Sequence, residues 1–344
     1  MKQLKSLDDI KKLKFEKERM FYSAEHEDIL AGLTTDIYFL RTLDILNNMG
    51  LAEQEVTAEI FARKPGIFVG IEEVKNVLKD KNIEMWALEE GQKFQPKETL
   101  VRIKGSYKDF GIFESVILGC LASPSGWATA ANRVKEACGD KNFVCFGTRH
   151  LHPSVAPVME KAARIGGASA VSNILTAKLL GEDPSGTLPH ASFLIAGDTL
   201  SVAKAYNNIM PKNHKRIVLV DTFKDEVEES LRIAKELGKD LYGIRLDTPS
   251  ERGGVTPELI KEVRAKLDIN GYDWVKIFVS GGLTPERIEI LSQAGADAFG
   301  VGSYISGAPA IDMTMDIKEV AGKAVAKRGR IPGLVENKRL VKMI

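Results

Sequence analysis

Apolar positions in the first part of the chain recur at helical spacing. Ile37, Leu40 and Leu43 fall on one face and predict a helix. Thr34 or Thr35 is expected to cap its start, because threonine side chains accept hydrogen bonds from the first free amides of a helix.

Strand and turn patterns follow this helix. The segment EVTAEIFARK (55–64) alternates between apolar and polar residues and predicts a half-buried strand. Residues 84–105 combine turn formers with short apolar runs, which predicts a small β-rich region. ESVILGCL (114–121) and WATAANRVKEACG (127–139) predict two helices, because proline and glycine interrupt the pattern between them. A mixture of this kind predicts an α+β domain over residues 1–120.

From Phe143 onward, short apolar runs alternate with amphipathic helices. The seven candidate strands are residues 143–147, 169–171, 186–190, 216–221, 241–247, 276–280 and 298–302. Thr256-Pro257 and Thr284-Pro285 each begin a predicted helix, because threonine favours the N-cap and proline the first helical position. Strands that alternate with helices form a parallel sheet with right-handed crossovers. Seven strands fall short of a closed eight-stranded barrel, so residues 121–306 are predicted to form an incomplete, seven-strand-like α/β barrel.

Composition and charge narrow the classes of protein. Hydrophobic residues make up 44% of the chain, which supports a large core and argues against disorder. The 48 Lys and Arg nearly balance the 47 Asp and Glu, so neither nucleic acid nor a membrane surface is an expected partner. No apolar run approaches the roughly 20 residues of a membrane-spanning helix. The charged N-terminus lacks the apolar stretch of a signal peptide, so a cytoplasmic protein is expected.

Two features receive no functional interpretation. Residues 307–344 are basic and are expected to be a solvated tail or an arm that packs on the N-terminal domain. Cys120, Cys138 and Cys145 have neither metal-ligand spacing nor a disulfide pattern, so reduced and mostly buried thiols are expected.

The run FVSGGLTPERI (278–288) places two glycines between a buried strand and a helix start. A phosphate group needs backbone N–H donors at close range, and glycine removes the Cβ that would block their approach. A second glycine turn follows the last strand, and paired turns on the last two strands form a recurrent phosphate site of α/β barrels. The predicted phosphate-binding residues are Ser280, Gly281, Gly282, Gly300, Gly302 and Ser303. The alternative is two tight turns without a ligand.

Other predicted strands also end in polar residues. These residues are Arg149, His150, His190, Asp221, Arg245 and Asp247. Charges at the ends of apolar strands cost desolvation energy unless something pairs with them, so their convergence favours an anionic, hydroxyl-bearing ligand. Arg245 and Asp247 could instead simply pair with each other, and Asp221 could cap the following helix.

Seven motifs in order resemble the archaeal and bacterial nicotinate phosphoribosyltransferases: LTTDIYFL, FGTRHLHP, SGTLPHASFL, IVLVDTFKDEVEE, GIRLDTPSERGG, FVSGGLTPERI and AFGVGSYIS. They extend from about Thr34 to Ser306. The resemblance implies an incomplete α/β barrel with an N-terminal α/β domain, in dimers or larger homo-oligomers whose sites are shared between subunits. It also implies transfer of nicotinate to phosphoribosyl pyrophosphate, giving nicotinate mononucleotide and pyrophosphate in NAD biosynthesis.

The resemblance assigns roles to individual residues. The two glycine turns would hold the ribose 5′-phosphate. Arg245 and Asp247 would face the ribose and pyrophosphate, with Asp221 beside them. Thr187 and His190 belong to a motif whose histidine is phosphorylated in members that couple the reaction to ATP hydrolysis, so coupling to ATP is left open.

Further residues are assigned to the acceptor. Arg149 would meet the nicotinate carboxylate or the pyrophosphate, and Tyr38 would lie against the pyridine ring, in its own or a neighbouring subunit. Magnesium is expected together with the pyrophosphate. Some archaeal relatives carry a cysteine-rich zinc site near the C-terminus, but no cysteine follows Cys145, so no protein-held metal is predicted.

One departure and three alternatives remain. The family often has RLDSGD where this chain has RLDTPSERGG, which leaves open whether Glu251 or Arg252 replaces the second carboxylate. A quinolinate phosphoribosyltransferase, which also decarboxylates, would need a more basic site near the first strands. A sugar-phosphate isomerase or aldolase would need a lysine or glutamate base at a strand end. A phosphate sensor would bind its ligand without turnover.

Overall fold

The computed structural model of the chain describes residues 3–14 and 19–344. The chain divides into two compact units. The first unit comprises Met1–Thr129 and Pro309–Ile344, and the barrel unit comprises Ala130–Ala308. In the described part of the chain, no helix is both long and apolar enough to cross a membrane.

Strands and helices are numbered in chain order. The strands are β1 (Glu55–Ala62), β2 (Gly66–Ile67), β3 (Ile83–Ala87), β4 (Lys93–Phe94), β5 (Thr99–Ser106), β6 (Asn142–Cys145), β7 (Ala170–Val171), β8 (Arg216–Leu219), β9 (Leu241–Leu246), β10 (Lys276–Ser280), β11 (Ala298–Val301), β12 (Met313–Val320), β13 (Lys323–Ala324) and β14 (Val341–Lys342). The helices are α1 (Leu7–Lys12), α2 (His26–Leu30), α3 (Ile37–Asn48), α4 (Ile71–Leu78), α5 (Tyr107–Phe110), α6 (Glu114–Cys138), α7 (Ala156–Ile165), α8 (Ile174–Leu179), α9 (His190–Ala196), α10 (Thr199–Ile209), α11 (Glu226–Leu237), α12 (Pro257–Ile269), α13 (Pro285–Gln293) and α14 (Ser303–Ser306). Short 3₁₀ helices span Gly111–Phe113, Thr148–His150, Gly238–Asp240 and Ser250–Arg252.

The first unit is built on an antiparallel sheet in the order β13-β12-β1-β5-β3-β14. The strand predicted at residues 55–64 is confirmed as β1, and its apolar face is buried from Val56 to Ala62. The opposite face is covered too, because Glu59 is buried and accepts a hydrogen bond from Arg102 on β5 at 2.6 Å (Nη2 to Oε1). The β-rich region predicted at residues 84–105 is confirmed by β3, β4 and β5.

The segment after the barrel unit supplies a central strand of this sheet. β12 lies between β13 and β1 and runs antiparallel to β1, with Val320 opposite Val56 and Met313 opposite Ala62. Met313 and Met315 are buried. Residues 313–320 therefore do not form a solvated tail. Their sequence, MTMDIKEV, alternates as a strand does, and pairing with β1 makes it one.

The two helices predicted at residues 114–121 and 127–139 are one helix, α6, with Pro124 inside it. The prediction of a break is wrong because packing within the first unit supports this stretch. The backbone N–H of Val69 donates to the buried Ser125 Oγ at 3.2 Å, and a Cβ at Gly126 would collide with the backbone of Pro309. Tertiary contacts of this kind override the local tendency of proline and glycine to end a helix.

The barrel unit holds a parallel sheet in the order β7-β6-β11-β10-β9-β8. These six strands confirm six of the seven predicted ones. Among the described residues, β7 and β8 are the two edges, so the sheet does not close. The structure thus confirms an incomplete α/β barrel, and the first unit is α+β as predicted.

The seventh predicted strand, at residues 186–190, is wrong. Residues 186–189 form no regular element, and His190 begins α9. Pro184 and Pro189 lack the N–H that a sheet strand donates, and Pro189 occupies the N-cap of α9 instead.

Two helices of the barrel unit begin where the threonine–proline pairs predict. Thr256 Oγ1 accepts a hydrogen bond from the N–H of Leu259 at 3.2 Å and caps α12. Thr284 caps α13 by accepting from the N–H of Arg287 at 3.4 Å. Each helix follows a strand, so helix starts and strand carboxyl ends meet at one edge of the sheet.

The cysteines match the expectation of reduced thiols. All three are free, Cys138 and Cys145 are buried, and Cys120 is half-buried. Burial raises the pKa of Cys120 to about 12 and that of Cys138 to about 11. Both thiols are therefore protonated at neutral pH and are poor nucleophiles.

Candidate active site

A cleft of about 680 Å³ lies at the carboxyl ends of the barrel strands. Its lining includes residues that follow β6, β7, β9, β10 and β11, together with residues 184–191. The sequence-predicted site residues that it brings together are Arg149, Thr187, His190, Arg245, Asp247, Ser280, Gly281, Gly282, Gly300, Gly302 and Ser303. Residues far apart in the sequence therefore share one concave surface.

Arg245 connects three parts of the cleft. Its Nη2 donates to Asp247 Oδ2 at 2.7 Å, its Nε to Ser280 Oγ at 2.9 Å, and its Nη1 to Thr187 Oγ1 at 2.5 Å. The side chains of Arg245 and Asp247 are 16% and 21% exposed. The two residues do pair, as the simplest interpretation of the sequence held. The further bonds to Ser280 and Thr187 fix the guanidinium beside the first glycine turn.

The backbone of the first glycine turn favours glycine at both positions. Gly281 has φ +92° and Gly282 has φ +58°, which L side chains rarely adopt. A Cβ on Gly281 would also lie 2.8 Å from Asp247 Oδ1. The turn therefore places bare backbone against the carboxylate that Arg245 holds.

At the second glycine turn, the glycines also serve packing. A Cβ on Gly300 would collide with the ring of Phe146, and a Cβ on Gly302 would lie 2.9 Å from His150 Cε1. The helix that follows, α14, has four residues, Ser303–Ser306. Packing is thus a second reason for these glycines, which the sequence alone did not reveal, and phosphate binding at this turn stays a prediction.

His190 and Asp221 form a pair beside the cleft. His190 Nε2 lies 3.2 Å from Asp221 Oδ2, and the Asp221 side chain is 1% exposed. Burial raises the pKa of Asp221, and the neighbouring His190 opposes that rise. The alternative that Asp221 caps the following helix is wrong, because Asp225 caps α11 by accepting from the N–H of Val227 at 2.9 Å.

A chain of polar contacts joins the loop after β6 to the second glycine turn. Arg149 Nε lies 3.4 Å from His150 Nε2, and His150 Nδ1 lies 2.9 Å from Ser306 Oγ. Ser306 Oγ in turn donates to the carbonyl of Gly302 at 3.2 Å. Since that hydroxyl gives its proton to the carbonyl, His150 Nδ1 carries the proton in their shared bond, and His150 Nε2 is left to accept from Arg149.

Sequence reasoning missed two buried carboxylates behind the cleft, Glu160 on α7 and Glu226 at the start of α11. Glu226 Oε1 accepts from Thr248 Oγ1 at 2.8 Å, and Arg252 Nη2 lies 3.6 Å from Glu226 Oε2. Glu251 is exposed and accepts from Ser250 at 3.2 Å. Glu251 and Arg252 are not among the described cleft-lining residues, so neither takes the place of the second carboxylate there.

Tyr38 is the one predicted substrate-binding residue outside the barrel unit. It lies on α3, which begins after the N-cap Asp36 rather than after Thr34 or Thr35, and it is 54% exposed. Its ring packs on Phe39 at 4.2 Å between centroids. Its contact with a pyridine ring stays a prediction.

Metal ligands are not clustered in the described residues. No group of three or more His, Cys, Asp or Glu side chains is placed there to hold a metal ion.

The fold and this cleft define a class of protein, and comparison with known sequences agrees. The sequence profile of the quinolinate phosphoribosyl transferase N-terminal domain matches residues 36–125, and that of its C-terminal domain matches residues 127–316. The chain belongs to this family, which comprises phosphoribosyltransferases of NAD biosynthesis acting on nicotinate or quinolinate.

Individual relatives carry two kinds of name. The chain is similar to nicotinate phosphoribosyltransferase pncB2 of Mycobacterium tuberculosis, with 32% identity over 255 residues, which are 71% of this chain and 53% of that protein. Its structure is similar to the crystal structure of nicotinate-nucleotide pyrophosphorylase from Pyrococcus furiosus, with a TM-score of 0.89 over 92% of this chain and 82% of that one. The sequence identity between the two is 44%. A probable carboxylating nicotinate-nucleotide pyrophosphorylase of Methanothermobacter thermautotrophicus is 23% identical, over 76% of this chain and 88% of that protein. The chain spans about half the length of the M. tuberculosis relative.

Proposed function

We propose that the protein is a nicotinate phosphoribosyltransferase, which joins nicotinate to phosphoribosyl pyrophosphate and releases nicotinate mononucleotide and pyrophosphate. The observation that carries the proposal is the junction of Arg245, Asp247 and the Ser280–Gly282 turn in one cleft. This arrangement provides a cation for phosphates, a carboxylate for a sugar and bare backbone for a terminal phosphoryl group.

The first step is the binding of the phosphorylated sugar. The backbone amides of the glycine turn at residues 281–282 would receive the ribose 5′-phosphate, because glycine leaves them accessible. Arg245 would contact the pyrophosphate from the centre of the cleft while its bonds to Ser280 and Thr187 hold its orientation. Magnesium enters with the pyrophosphate as part of the substrate, since phosphate oxygens are its preferred ligands.

The chemistry fits the side chains in the cleft. The pyridine nitrogen of nicotinate carries no proton, so its attack on the ribose carbon needs no general base. As pyrophosphate leaves, positive charge develops on the ribose ring, and a fixed carboxylate such as Asp247 stabilises that charge. Arg245 stabilises the departing phosphate oxygens, and the ion pair between the two side chains keeps both in place.

The acceptor proposed is nicotinate rather than quinolinate. Nicotinate has one carboxylate, and the loop after β6 offers one arginine, Arg149, followed by His150. The M. tuberculosis relative carries the nicotinate name.

The second candidate is quinolinate transfer with decarboxylation. The names of the P. furiosus structure and of the M. thermautotrophicus relative favour this candidate. The name of the second, carboxylating nicotinate-nucleotide pyrophosphorylase, describes quinolinate transfer with decarboxylation in the reverse direction. An acid with two carboxylates would need a second polar partner in the cleft, and His150, which follows Arg149, lines the cleft with it.

Coupling to ATP would involve His190. Its imidazole is 39% exposed and its Nε2 faces the buried carboxylate of Asp221, an arrangement that orients the ring. We propose ATP as a third substrate, beside nicotinate and phosphoribosyl pyrophosphate.

We also propose that the protein assembles with copies of itself. Helices α8 and α9 expose large apolar side chains, namely Ile174, Leu175, Leu179, Leu194 and Ile195, with exposures from 56% to 87%. Apolar surface of this density on two neighbouring segments of the chain is typical of a protein interface. Sedimentation of the purified protein would test this, with a monomer as the contradicting result.

A single set of assays tests the proposed function. Nicotinate, quinolinate or nicotinamide is incubated with phosphoribosyl pyrophosphate and magnesium, with and without ATP. Nicotinate mononucleotide from nicotinate supports the proposal, and stimulation by ATP supports a role for His190. Product from quinolinate alone, with release of carbon dioxide, would overturn the choice of acceptor. Ligand binding without turnover by any acceptor would indicate a sensor.

A further inference from the structure

A buried carboxylate that the proposed mechanism does not use is hydrogen-bonded to the loop that carries Arg149. Glu160 on α7 is fully buried, with 0% exposure. Its Oε1 accepts from Thr148 Oγ1 at 2.5 Å and from Ser172 Oγ at 2.8 Å. Its Oε2 accepts from the backbone N–H groups of Ser172 and Asn173 at 2.7 Å and 2.8 Å.

These four hydrogen bonds match what an ionised carboxylate can accept. Two oxygens offer about four acceptor positions, and a buried carboxylate is costly unless they are filled. Thr148 follows β6, whereas Ser172 and Asn173 follow β7. Glu160 therefore joins the exits of two neighbouring strands at the edge of the sheet.

Arg149 depends on this joint for its position. Its side chain is exposed, and its hydrogen bond to His150 Nε2 is long, at 3.4 Å. The side chain is thus weakly restrained at its own end. The backbone of the 3₁₀ helix Thr148–His150, which the Thr148 hydroxyl ties to Glu160, sets its direction.

We propose that Glu160 is a positioning residue for the acceptor: through Thr148 it fixes Arg149 where the acid's carboxylate binds. The inference rests on the proposed function for the identity of the acceptor. It predicts an effect on acceptor binding that the phosphoribosyl end of the cleft, held by Arg245 and the first glycine turn, does not share.

The test is a comparison of KM values in Glu160→Gln and unmodified protein. Glutamine keeps the size of the side chain but replaces one acceptor oxygen with an NH₂ group. That group faces hydrogen-bond donors, so part of the connection between Glu160 and the two strand ends is lost. We expect the KM for nicotinate to rise about 10-fold and the KM for phosphoribosyl pyrophosphate to stay within about 2-fold.

Glu229→Gln is the matched control. Glu229 is equally buried, lies in the same unit on α11, and accepts from Arg232 at 2.8 Å and 2.7 Å (Oε2 from Nε, Oε1 from Nη2). It is not among the described cleft-lining residues. We expect a similar fall in Tm from this variant, but no change in either KM.

Thr148 variants test the same joint if Glu160→Gln fails to fold. Thr148→Val removes the hydroxyl with little change in shape and should raise the nicotinate KM, whereas Thr148→Ser keeps the hydroxyl and should behave as the unmodified protein. An unchanged nicotinate KM in folded Glu160→Gln, or in Thr148→Val, overturns the inference. If the unmodified protein converts quinolinate instead, the KM for that acid is measured. If it converts neither acid, the proposed function fails first, and the inference fails with it.

Discussion

The carboxylate of Asp247 is held between a charge and a bare backbone: Arg245 Nη2 lies 2.7 Å from its Oδ2, and a Cβ on Gly281 would lie 2.8 Å from its Oδ1. Its position is therefore set from both sides. A carboxylate fixed in this way can stabilise developing positive charge without reorganising.

Asp247→Asn should lower kcat by about 10²- to 10³-fold, because the amide keeps the shape but loses the charge that stabilises the transition state. The KM for phosphoribosyl pyrophosphate should change much less, since Arg245 keeps its hydrogen bonds to Ser280 and Thr187. Steady-state kinetics measures both. Asp297→Asn is the control: Asp297 pairs with Lys276 at 3.1 Å and does not line the cleft. A loss of turnover in the control as large as in Asp247→Asn would contradict the assigned role.

Gly281→Ala should lower both stability and activity. A left-handed backbone costs an L residue about 1–2 kcal/mol, and the added Cβ would displace the carboxylate of Asp247. Gly271→Ala isolates the backbone term, because Gly271 has φ +76° but nothing within 4 Å of its Cβ position. Denaturant unfolding should show a loss of stability for both variants, and turnover should fall in Gly281→Ala alone. Full activity in Gly281→Ala would show that the turn tolerates a side chain.

Asp221→Asn should make the protein more stable at neutral pH and less active. Burial raises the pKa of Asp221, so folding favours its protonated form. The stability this gives is present below the ordinary pKa of 3.8 and is lost as pH rises through the raised value. Asparagine does not ionise, so the variant does not lose this stability as the pH rises. We expect the Tm of Asp221→Asn to exceed that of the unmodified protein at neutral pH, and the difference to vanish as the pH falls toward 3.8.

Asp198→Asn should show the opposite dependence. Its hydrogen bond with Arg232 holds the pKa of Asp198 below its ordinary value, so the charged form stabilises the fold at neutral pH and protonation removes that contribution. We expect a lower Tm than the unmodified protein at neutral pH and a smaller difference in acid. Parallel pH curves for Asp221→Asn and Asp198→Asn would refute the assignment.

Ser306→Ala should weaken phosphate binding at the second glycine turn. The Ser306 hydroxyl links His150 to the carbonyl of Gly302, and each such bond contributes about 0.5–1.5 kcal/mol. The KM for phosphoribosyl pyrophosphate should rise roughly 2- to 10-fold. Ser230→Ala removes the same kind of bond, to the carbonyl of Glu226 at 2.6 Å, from a buried helix position, and should leave the KM unchanged. An equal effect of both variants would reduce the role of Ser306 to general stability.

Much of the barrel could be predicted because its strands are short apolar runs with strong local patterns. Two departures from the predicted structure share one cause, which is that a contact distant in sequence decided the structure. Pro124 lies inside α6 because the first unit packs around that stretch of the helix. Residues 313–320 form the strand β12 because they pair antiparallel with β1. The error at residues 186–190 is of a different kind, because Pro189 within that segment is itself a local signal against a sheet strand.

The candidate site divides in the same way. Strand ends and glycine pairs are local signals, and they led to Arg245, Asp247 and the first turn. Glu160 gave no such signal, because a glutamate in an amphipathic helix is usually a solvated residue. Only the fold brings Thr148 and Ser172 to it.

The position of β12 has a consequence for how the chain comes off the ribosome. β1 is among the first strands to be synthesised, yet its neighbour on one side emerges only after the whole barrel unit. Until then, β1 presents an open edge to the surroundings of the nascent chain. The segment Ala130–Ala308 can condense during translation, so the earlier-made unit is expected to complete its own folding last.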